Sequence, residues 1–372
     1  MPVKKIVILC GGTGGHFYPG LTIARKFTEH GGNVELFLIG RHSGNQAEIA
    51  ESYGIESTVL PQLPAPVGVG GKLLFTLSLC KSFFSVMRSL RKEKPDAVLG
   101  MGSFTSLPTA LAAKLMRIPL YLHDGNARVG KANVFLSRWA KKIMLSFPPV
   151  NADQLRTSHI VTGMPLRPEL HADTFKQQTR KSLIEEFNEK FNAKFKIRPK
   201  VILVFGGSQG ATVFNTLFPE GVLEIEDSRK IQVIHLTGKG NEAEVQIRYK
   251  NANFAYKIIE TTEDMSLLYS LADIIFCRSG GSTVAELALF AKFAVLIPYP
   301  FATDDHQSDN ADFYISSGAG IKVSNSDCSS AKFAEILREY LAEPAKFAEL
   351  GSNGASLARP DAADDVLKAI QE

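Results

Sequence analysis

No stretch of this chain has the Gly-x-x-x-x-Gly-Lys-Ser/Thr spacing of a P-loop, and none has the Gly-x-Gly-x-x-Gly spacing of a dinucleotide fold. ATPase-type, nicotinamide and flavin chemistry therefore lack their usual signatures. There is no Asp-x-Asp triplet, a common device for holding a divalent ion on a nucleotide diphosphate, so neither a bound metal nor another cofactor is expected. Cysteine is scarce: Cys10, Cys80, Cys277 and Cys328 are scattered, with no Cys-x-x-Cys pair. Two of them end apolar, strand-like runs, which predicts buried free thiols in a reducing cytosol rather than disulfides or a metal site. No apolar run reaches the ~20 residues of a membrane span, so any membrane contact is expected to be peripheral. With a strand-like run from Ile6, no signal peptide is expected. The net charge of +4 and isoelectric point near 8.7 are mild; they permit an anionic partner, whether nucleotide, phospholipid surface or nucleic acid, without requiring one.

What is present is enough chain for two domains: 372 residues, with an ordinary 45% apolar and 22% charged content. The first sharp feature is Gly11-Gly12-Thr13-Gly14-Gly15-His16, which follows the apolar run Ile6 to Cys10. That run reads as a strand buried on both faces, and Leu21, Ala24 and Phe27 recur at helical spacing up to Gly31-Gly32. The glycines thus sit where a strand ends and a helix begins, a junction that presents free N–H groups and a positive helix dipole to an anion. Val201 to Phe205 followed by Gly206-Gly207-Ser208-Gln209-Gly210 repeats the layout, so that Gly11, Gly12, Thr13 and Gly15 fall on Gly206, Gly207, Ser208 and Gly210. The chain reads as two similar α/β halves.

Further strands are expected at 34–40, 96–101, 118–123 and 142–147 in the first half. In the second they are expected at 201–205, 231–236, 256–259, 274–277, 294–297 and 320–323. Alternation with helical patterns implies doubly wound parallel sheets, which bind ligands at the strands' carboxyl ends. Arg41-His42-Ser43, Gly100-Met101-Gly102-Ser103 and His123-Asp124-Gly125-Asn126 all fall on that rim. Residues 171–200 are charged and helix-prone, and read as the entry to the second domain plus a solvated helix. A last helix over 363–370 can pack on either domain.

Between Pro61 and Lys94 a loose segment leads into a helix whose apolar arc spans roughly 200°, wider than one packed face needs. Lys81, Arg88, Arg91, Lys92 and Lys94 complete it. It reads either as an interfacial membrane helix or as a helix wedged between core elements.

Cys277-Arg278-Ser279-Gly280-Gly281-Ser282-Thr283-Val284-Ala285-Glu286 is the second sharp signal. A donor-rich turn opens a helix that carries a carboxylate, which suits a diphosphate and ribose hydroxyls, although Glu286 can equally compensate the helix dipole. Asp304 to Asn310 includes His306, Gln307 and Asn310, which can hydrogen-bond a sugar or simply be solvated.

Taken with Pro19-Gly20, Val98 to Gly102, Gly206 to Ala211 and Cys277 to Gly280, the first glycine turn resembles the MurG-type peptidoglycan transferases of glycosyltransferase family 28, over nearly the whole chain. The resemblance implies a GT-B fold: two Rossmann-like domains facing across a cleft, an N-terminal one over 1–166 and a C-terminal one over 167–356, with 357–372 free to pack back on the first. It implies an inverting N-acetylglucosaminyltransferase that moves GlcNAc from UDP-GlcNAc to the C4 hydroxyl of undecaprenyl-diphosphate-linked MurNAc-pentapeptide. Its place would be the cytoplasmic face of the membrane, on anionic lipid, with other cell-wall synthesis proteins as further partners and no nucleic acid.

Carried over by motif, Ser208 and Gln209 match the family's donor-side glycine turn. Ser279, Gly280, Gly281, Ser282, Thr283 and Val284 match its diphosphate and uracil loop, and Glu286 its ribose carboxylate. Thr262 matches a uracil contact, His306 and Gln307 the sugar contacts, and Arg167 and Asn126 further donor-contacting positions. Thr13, Gly14, Gly15 and His16 belong to the turn where diphosphate and acceptor meet. His16 is the expected general base, or else a phosphate-binding residue, with Asp124 the runner-up. The chain departs from the family pattern at Asp124-Gly125, where Glu-Gln is common, and at Ser103-Phe104, where Gly-Tyr is. The same cleft also serves diacylglycerol glycosyltransferases and UDP-sugar 2-epimerases, and a non-catalytic nucleotide-sugar-binding subunit would leave His16 without a role.

Overall fold

The computed structural model describes residues 3–11, 13–40, 43–61, 68–170 and 177–372, with the backbone alone at 68–76 and 105. It divides into two units, Met1–Arg167 with Arg359–Glu372, and Pro168–Ala358.

In the first unit, strands β1 (Lys5–Gly11), β2 (Asn33–Ile39), β3 (Glu56–Val59), β4 (Ala97–Gly100), β5 (Leu120–Asp124), β6 (Lys142–Leu145) and β7 (His159–Val161) form one parallel sheet in the order β3-β2-β1-β4-β5-β6-β7. The run Ile6 to Cys10 is apolar throughout because both its faces are covered. Ile6, Ile8 and Cys10 pack with the helix Gly14–Glu29 on one side. Val7 and Leu9 pack on the other with Val86, Met87 and Leu90 of the helix Gly68–Glu93. Gly20 lets the first helix settle on β1, since a Cβ there would run into the Cys10 thiol. The last helix, Ala362–Gln371, belongs to this unit: Val366, Leu367, Ala369 and Ile370 join the β1 cluster, and the Tyr121 hydroxyl donates to the Ile370 carbonyl at 3.0 Å.

In the second unit, β8 (Lys200–Phe205), β9 (Ile231–Leu236), β10 (Ala255–Ile259), β11 (Ile274–Cys277), β12 (Ala294–Leu296) and β13 (Gly320–Lys322) form a parallel sheet in the order β10-β9-β8-β11-β12-β13. Its core gathers Ile202, Val204, Phe218, Phe276 and Phe333 around the central strands. The helix Arg180–Phe191 is not wholly solvated, because Leu183, Ile184 and Phe187 are buried. The stretch 171–176 and the segment 62–67 lie outside the described residues, as do Arg41 and His42.

In each sheet the strand order reverses beside the first strand of the unit, between β1 and β4 and between β8 and β11. Loops leaving two such strands diverge to opposite faces and open a crevice at their carboxyl ends. All the glycine-rich turns read from the sequence leave these four strands.

Candidate active site

In the first unit, the helix Gly14–Glu29 begins directly after the glycine turn, with Thr13 as its N-cap residue in extended conformation. The Thr13 side chain does not cap the helix. Its Oγ1 lies 3.0 Å from His16 Nδ1 instead, so Gly14 and Gly15 present backbone N–H groups that no side chain caps, on an exposed turn without acidic residues. The His16 ring lies against the loop after β4: a Cβ on Gly102, whose φ is 98°, would sit 3.3 Å from His16 Nε2. The fold thus brings together the two turns that the sequence placed on one rim. Arg167 joins them through Tyr18, its guanidinium 4.9 Å from the centre of that ring.

Asp124 is not displayed on the rim. Its carboxylate is buried and accepts from Asn126 N at 3.1 Å, Gly130 N at 3.0 Å and Asn133 Nδ2 at 2.9 Å. Burial pushes its carboxyl above the usual carboxylate range, and these donors pull it back. A carboxylate so enclosed organises the loop 124–130 that carries half-buried Asn126. Neighbouring His123 is also buried, which lowers its pKa to about 4 and keeps the ring neutral.

The second unit holds a cavity of about 740 Å³ at the carboxyl ends of β8, β11 and β12, within the range of small-molecule sites. Ser208, Gln209, Arg278, Gly280, Thr283 and Gln307 line it. The glycine turn here has a different conformation from the first, despite the shared layout. Gly207 and Gly210 take φ of 90° and 75°, and helical backbone starts only at Thr212, with a π-type turn over Val213–Leu217. A Cβ on Gly210 would strike the Thr237 carbonyl, so backbone packs on backbone there.

Behind this turn Tyr249 Oη lies 3.1 Å from His235 Nδ1, and His235 Nε2 lies 3.2 Å from Asn215 Oδ1. Asn215 Nδ2 in turn donates to the Thr237 carbonyl at 3.0 Å. Burial lowers the His235 pKa to about 3, so the ring is neutral: Nδ1 accepts from the tyrosine and Nε2 donates to the asparagine.

Gly280 is the N-cap of the helix Gly281–Leu289, again without a side-chain cap. The Ser279 hydroxyl is committed inward, donating to the Gln307 carbonyl at 2.7 Å, while Asn310 Nδ2 donates to the Ser279 carbonyl at 3.0 Å. Val284 is fully buried, so its side chain is core and offers a ligand nothing. Glu286 is half-buried and accepts from the Tyr269 hydroxyl at 2.7 Å, which orients its carboxylate. Thr262 closes a turn on Asp264, whose N–H donates to its Oγ1 at 3.1 Å. His306 Nδ1 donates to the Thr303 carbonyl at 2.8 Å. Glu286, Thr262 and His306 stand outside the cavity wall that Gln307 helps to form.

Sequence reasoning passed over Arg278, although a cation directly after a buried strand at the rim was a usable signal. One of its terminal nitrogens, Nη1, donates to the carbonyls of Ile297 and Pro298 and to Asn325 Oδ1, at 3.0, 2.9 and 2.9 Å. Among the described residues its partners are neutral oxygens rather than carboxylates, and the guanidinium lends the cavity a positive charge. Burial lowers its pKa. The orienting role of Tyr269 had no local signal.

The glycosyltransferase family 28 N-terminal domain matches residues 6–145 and the glycosyltransferase family 28 C-terminal domain matches residues 201–366. A UDP-N-acetylglucosamine--N-acetylmuramyl-(pentapeptide) pyrophosphoryl-undecaprenol N-acetylglucosamine transferase of Halorhodospira halophila is 34% identical, covering 100% of this chain and 99% of that protein. A transferase of the same name from Ectopseudomonas mendocina is 35% identical, with 99% and 98% covered. A crystal structure of MurG from Acinetobacter baumannii superposes with a TM-score of 0.78 at 28% identity, 99% of each chain being covered. A UDP-GlcNAc 2-epimerase from Neisseria meningitidis shares the fold, with a TM-score of 0.67 at 13% identity and 98% and 99% covered. The two Rossmann-like domains are those of the GT-B class.

Proposed function

The chain belongs to glycosyltransferase family 28 and is an N-acetylglucosaminyltransferase, and from that premise we propose that it moves GlcNAc from UDP-GlcNAc to the C4 hydroxyl of a MurNAc-pentapeptide carried on undecaprenyl diphosphate. The observation that carries this reading is kinship over the full length of the named transferases, in a chain whose second unit has a cation-lined cavity of about 740 Å³ at its switch point. The donor's diphosphate lies between the Gly206–Gly210 turn and the N-terminus of the helix Gly281–Leu289, beside Arg278. Glu286 takes the ribose hydroxyls, with Thr262 toward the base. Gln307 and His306 take the sugar; Asn126 and Arg167, on the first unit's own loops, match further donor-contacting positions of the family. N–H groups and a fixed cation stabilise the leaving UDP without reorganisation.

The acceptor hydroxyl attacks the anomeric carbon opposite the departing diphosphate, so an α-linked donor gives a β-linked product in one displacement. His16 takes the proton; Asp124 holds the neighbouring loop and does not exchange protons with substrate. Because a polyprenyl tail cannot leave the bilayer, the enzyme works on the cytoplasmic membrane surface, attached through the helix Gly68–Glu93 to anionic lipid. Incubation with radiolabelled UDP-GlcNAc and a short-chain lipid-linked MurNAc-pentapeptide tests the reading. A β-linked disaccharide product is expected, with none from diacylglycerol. Transfer to diacylglycerol alone, or donor binding without transfer, would overturn it.

A further inference from the structure

The second unit carries a further cavity at the other end of its sheet, at the amino ends of β8 and β9, with a volume of about 280 Å³. Its wall gathers four cations: Arg198 and Lys200 from the strap that enters β8, and Arg229 and Lys230 from the turn that enters β9. β8 has six residues, which sets this cavity about 17 Å along the strand from the donor cavity. Pro199, Leu341 and Pro344 complete the wall. Pro344 opens the helix Pro344–Ser352, whose N-terminus no side chain caps, so the positive end of a helix dipole adds to the cations. The strap is held from behind. Arg180 donates from Nε to the Ile197 carbonyl at 2.9 Å and from Nη2 to the Pro199 carbonyl at 3.0 Å, and the Gln232 amide exchanges two hydrogen bonds with the Lys196 backbone, at 2.9 and 2.8 Å. Carboxylates do not balance this charge. Asp273 pairs with Arg180 at 2.7 Å and Lys200 at 3.6 Å, Asp227 with Lys230 at 2.6 Å, and Glu343, beside Pro344, with Lys346 at 2.8 Å. Among the described residues Arg198 and Arg229 pair with no carboxylate, and both are exposed. Cations gathered on a fixed backbone repel one another until an anion joins them.

We propose that this cavity binds a phosphate group, at a site separate from the donor's. The guanidinium forks of Arg198 and Arg229 give paired N–H donors to its oxygens, a geometry that a lysine ammonium does not offer, while Lys200 and Lys230 add charge. Walls of two prolines and a leucine suit one compact anion, either inorganic phosphate or the phosphate of a lipid headgroup. The site does not depend on the donor reading, since none of its residues belongs to the turns at the strands' carboxyl ends.

The test titrates inorganic phosphate into the full-length protein by calorimetry, at fixed ionic strength and with saturating UDP present to fill the donor cavity. The variant is Arg198→Ala/Arg229→Ala. Both positions are exposed, so the fold is spared, and an unchanged Kd for UDP confirms it. The wild type should bind phosphate saturably, and the variant about tenfold more weakly, the order expected for a lost charge-assisted hydrogen bond. Co-sedimentation of both proteins with phosphatidylglycerol vesicles, against phosphatidylcholine vesicles, separates the two sources. Saturable phosphate binding that the variant weakens assigns a soluble anion; vesicle binding that the variant weakens, without saturation by free phosphate, assigns a headgroup. An equal phosphate Kd in the two proteins, or no saturation together with equal vesicle binding, overturns the site.

Discussion

His16 has two ring nitrogens with different neighbours, and its chemistry follows from which of them carries the proton. Nδ1 faces Thr13 Oγ1 at 3.0 Å, while Nε2 lies against Gly102. For Nε2 to accept a proton from a sugar hydroxyl, Nδ1 must hold the hydrogen and donate it to Thr13, which makes Thr13 the residue that selects the tautomer. His16→Ala should lower kcat by about 10²–10⁴-fold with the donor KM largely kept, and Thr13→Val should lower it by less. Steady-state kinetics decides: a pure KM effect would make His16 a binding residue. Glu286 makes a parallel case. Its carboxylate is held by the Tyr269 hydroxyl, and a charge-assisted hydrogen bond to a ribose hydroxyl is worth about 1.5–3 kcal/mol. Glu286→Gln should therefore raise the donor KM at least tenfold with kcat preserved; an unchanged KM would remove Glu286 from the site. These residues were legible because turn glycines and polar side chains announce themselves locally. Asp124 and Val284 were not, because the same letters at a strand end and in a helix's first turns can face inward or outward, and only packing decides. Ser279 shows a third outcome, a hydroxyl spent on holding Gln307 in place.

The helix Gly68–Glu93 buries one face in the core and leaves apolar side chains exposed on another. Ser82, Val86, Met87 and Leu90 form a buried stripe along it, and Phe83 packs against the same core. The opposite face carries Leu77, 60% exposed, and Phe84, 70% exposed, which are seven residues apart and so nearly aligned, with exposed Lys81, Arg88, Arg91 and Lys92 around them. The wide apolar arc in the sequence was the sum of a core face and a surface face. Leu79 and Phe83 are partly buried, so the exposed apolar pair among the described side chains of this helix is Leu77 and Phe84. A Leu77→Ser/Phe84→Ser variant should lose most of its co-sedimentation with anionic vesicles while its circular dichroism is unchanged; equal binding would separate this face from the membrane. Strands divide by the same logic. Central strands such as β1 and β8 are buried on both faces and read as unbroken apolar runs. The edge strands β3 and β7, Glu56–Val59 and His159–Val161, carry exposed and polar positions and left no such trace.

At the scale of the whole molecule, each unit has its own core and its own buried, neutral histidine: His123 in the first, with pKa about 4, and His235 in the second, with pKa about 3. Both lie below the ordinary value of 6.5, so between 6.5 and these values the unfolded chain binds protons that the folded chain refuses. Stability from these groups is complete above pH 6.5 and is lost as the pH falls toward 4 and 3. Asp124 works in the opposite sense, since a raised carboxyl pKa favours the folded state as acid is added. The second unit should therefore show the acid effect more cleanly. The single tryptophan, Trp139, packs against the first unit's core, so its fluorescence follows that unit, whereas far-ultraviolet circular dichroism follows both. His235→Gln removes the titrating group and keeps an amide donor for Asn215. In urea melts at pH 7 and pH 5, the wild type should lose stability by circular dichroism on acidification, and the variant should lose less, with its tryptophan transition matching the wild type at each pH. A variant whose acid shift is undiminished would show that His235 does not set the second unit's acid sensitivity, and a tryptophan transition that moves with the substitution would show the two units unfolding as one.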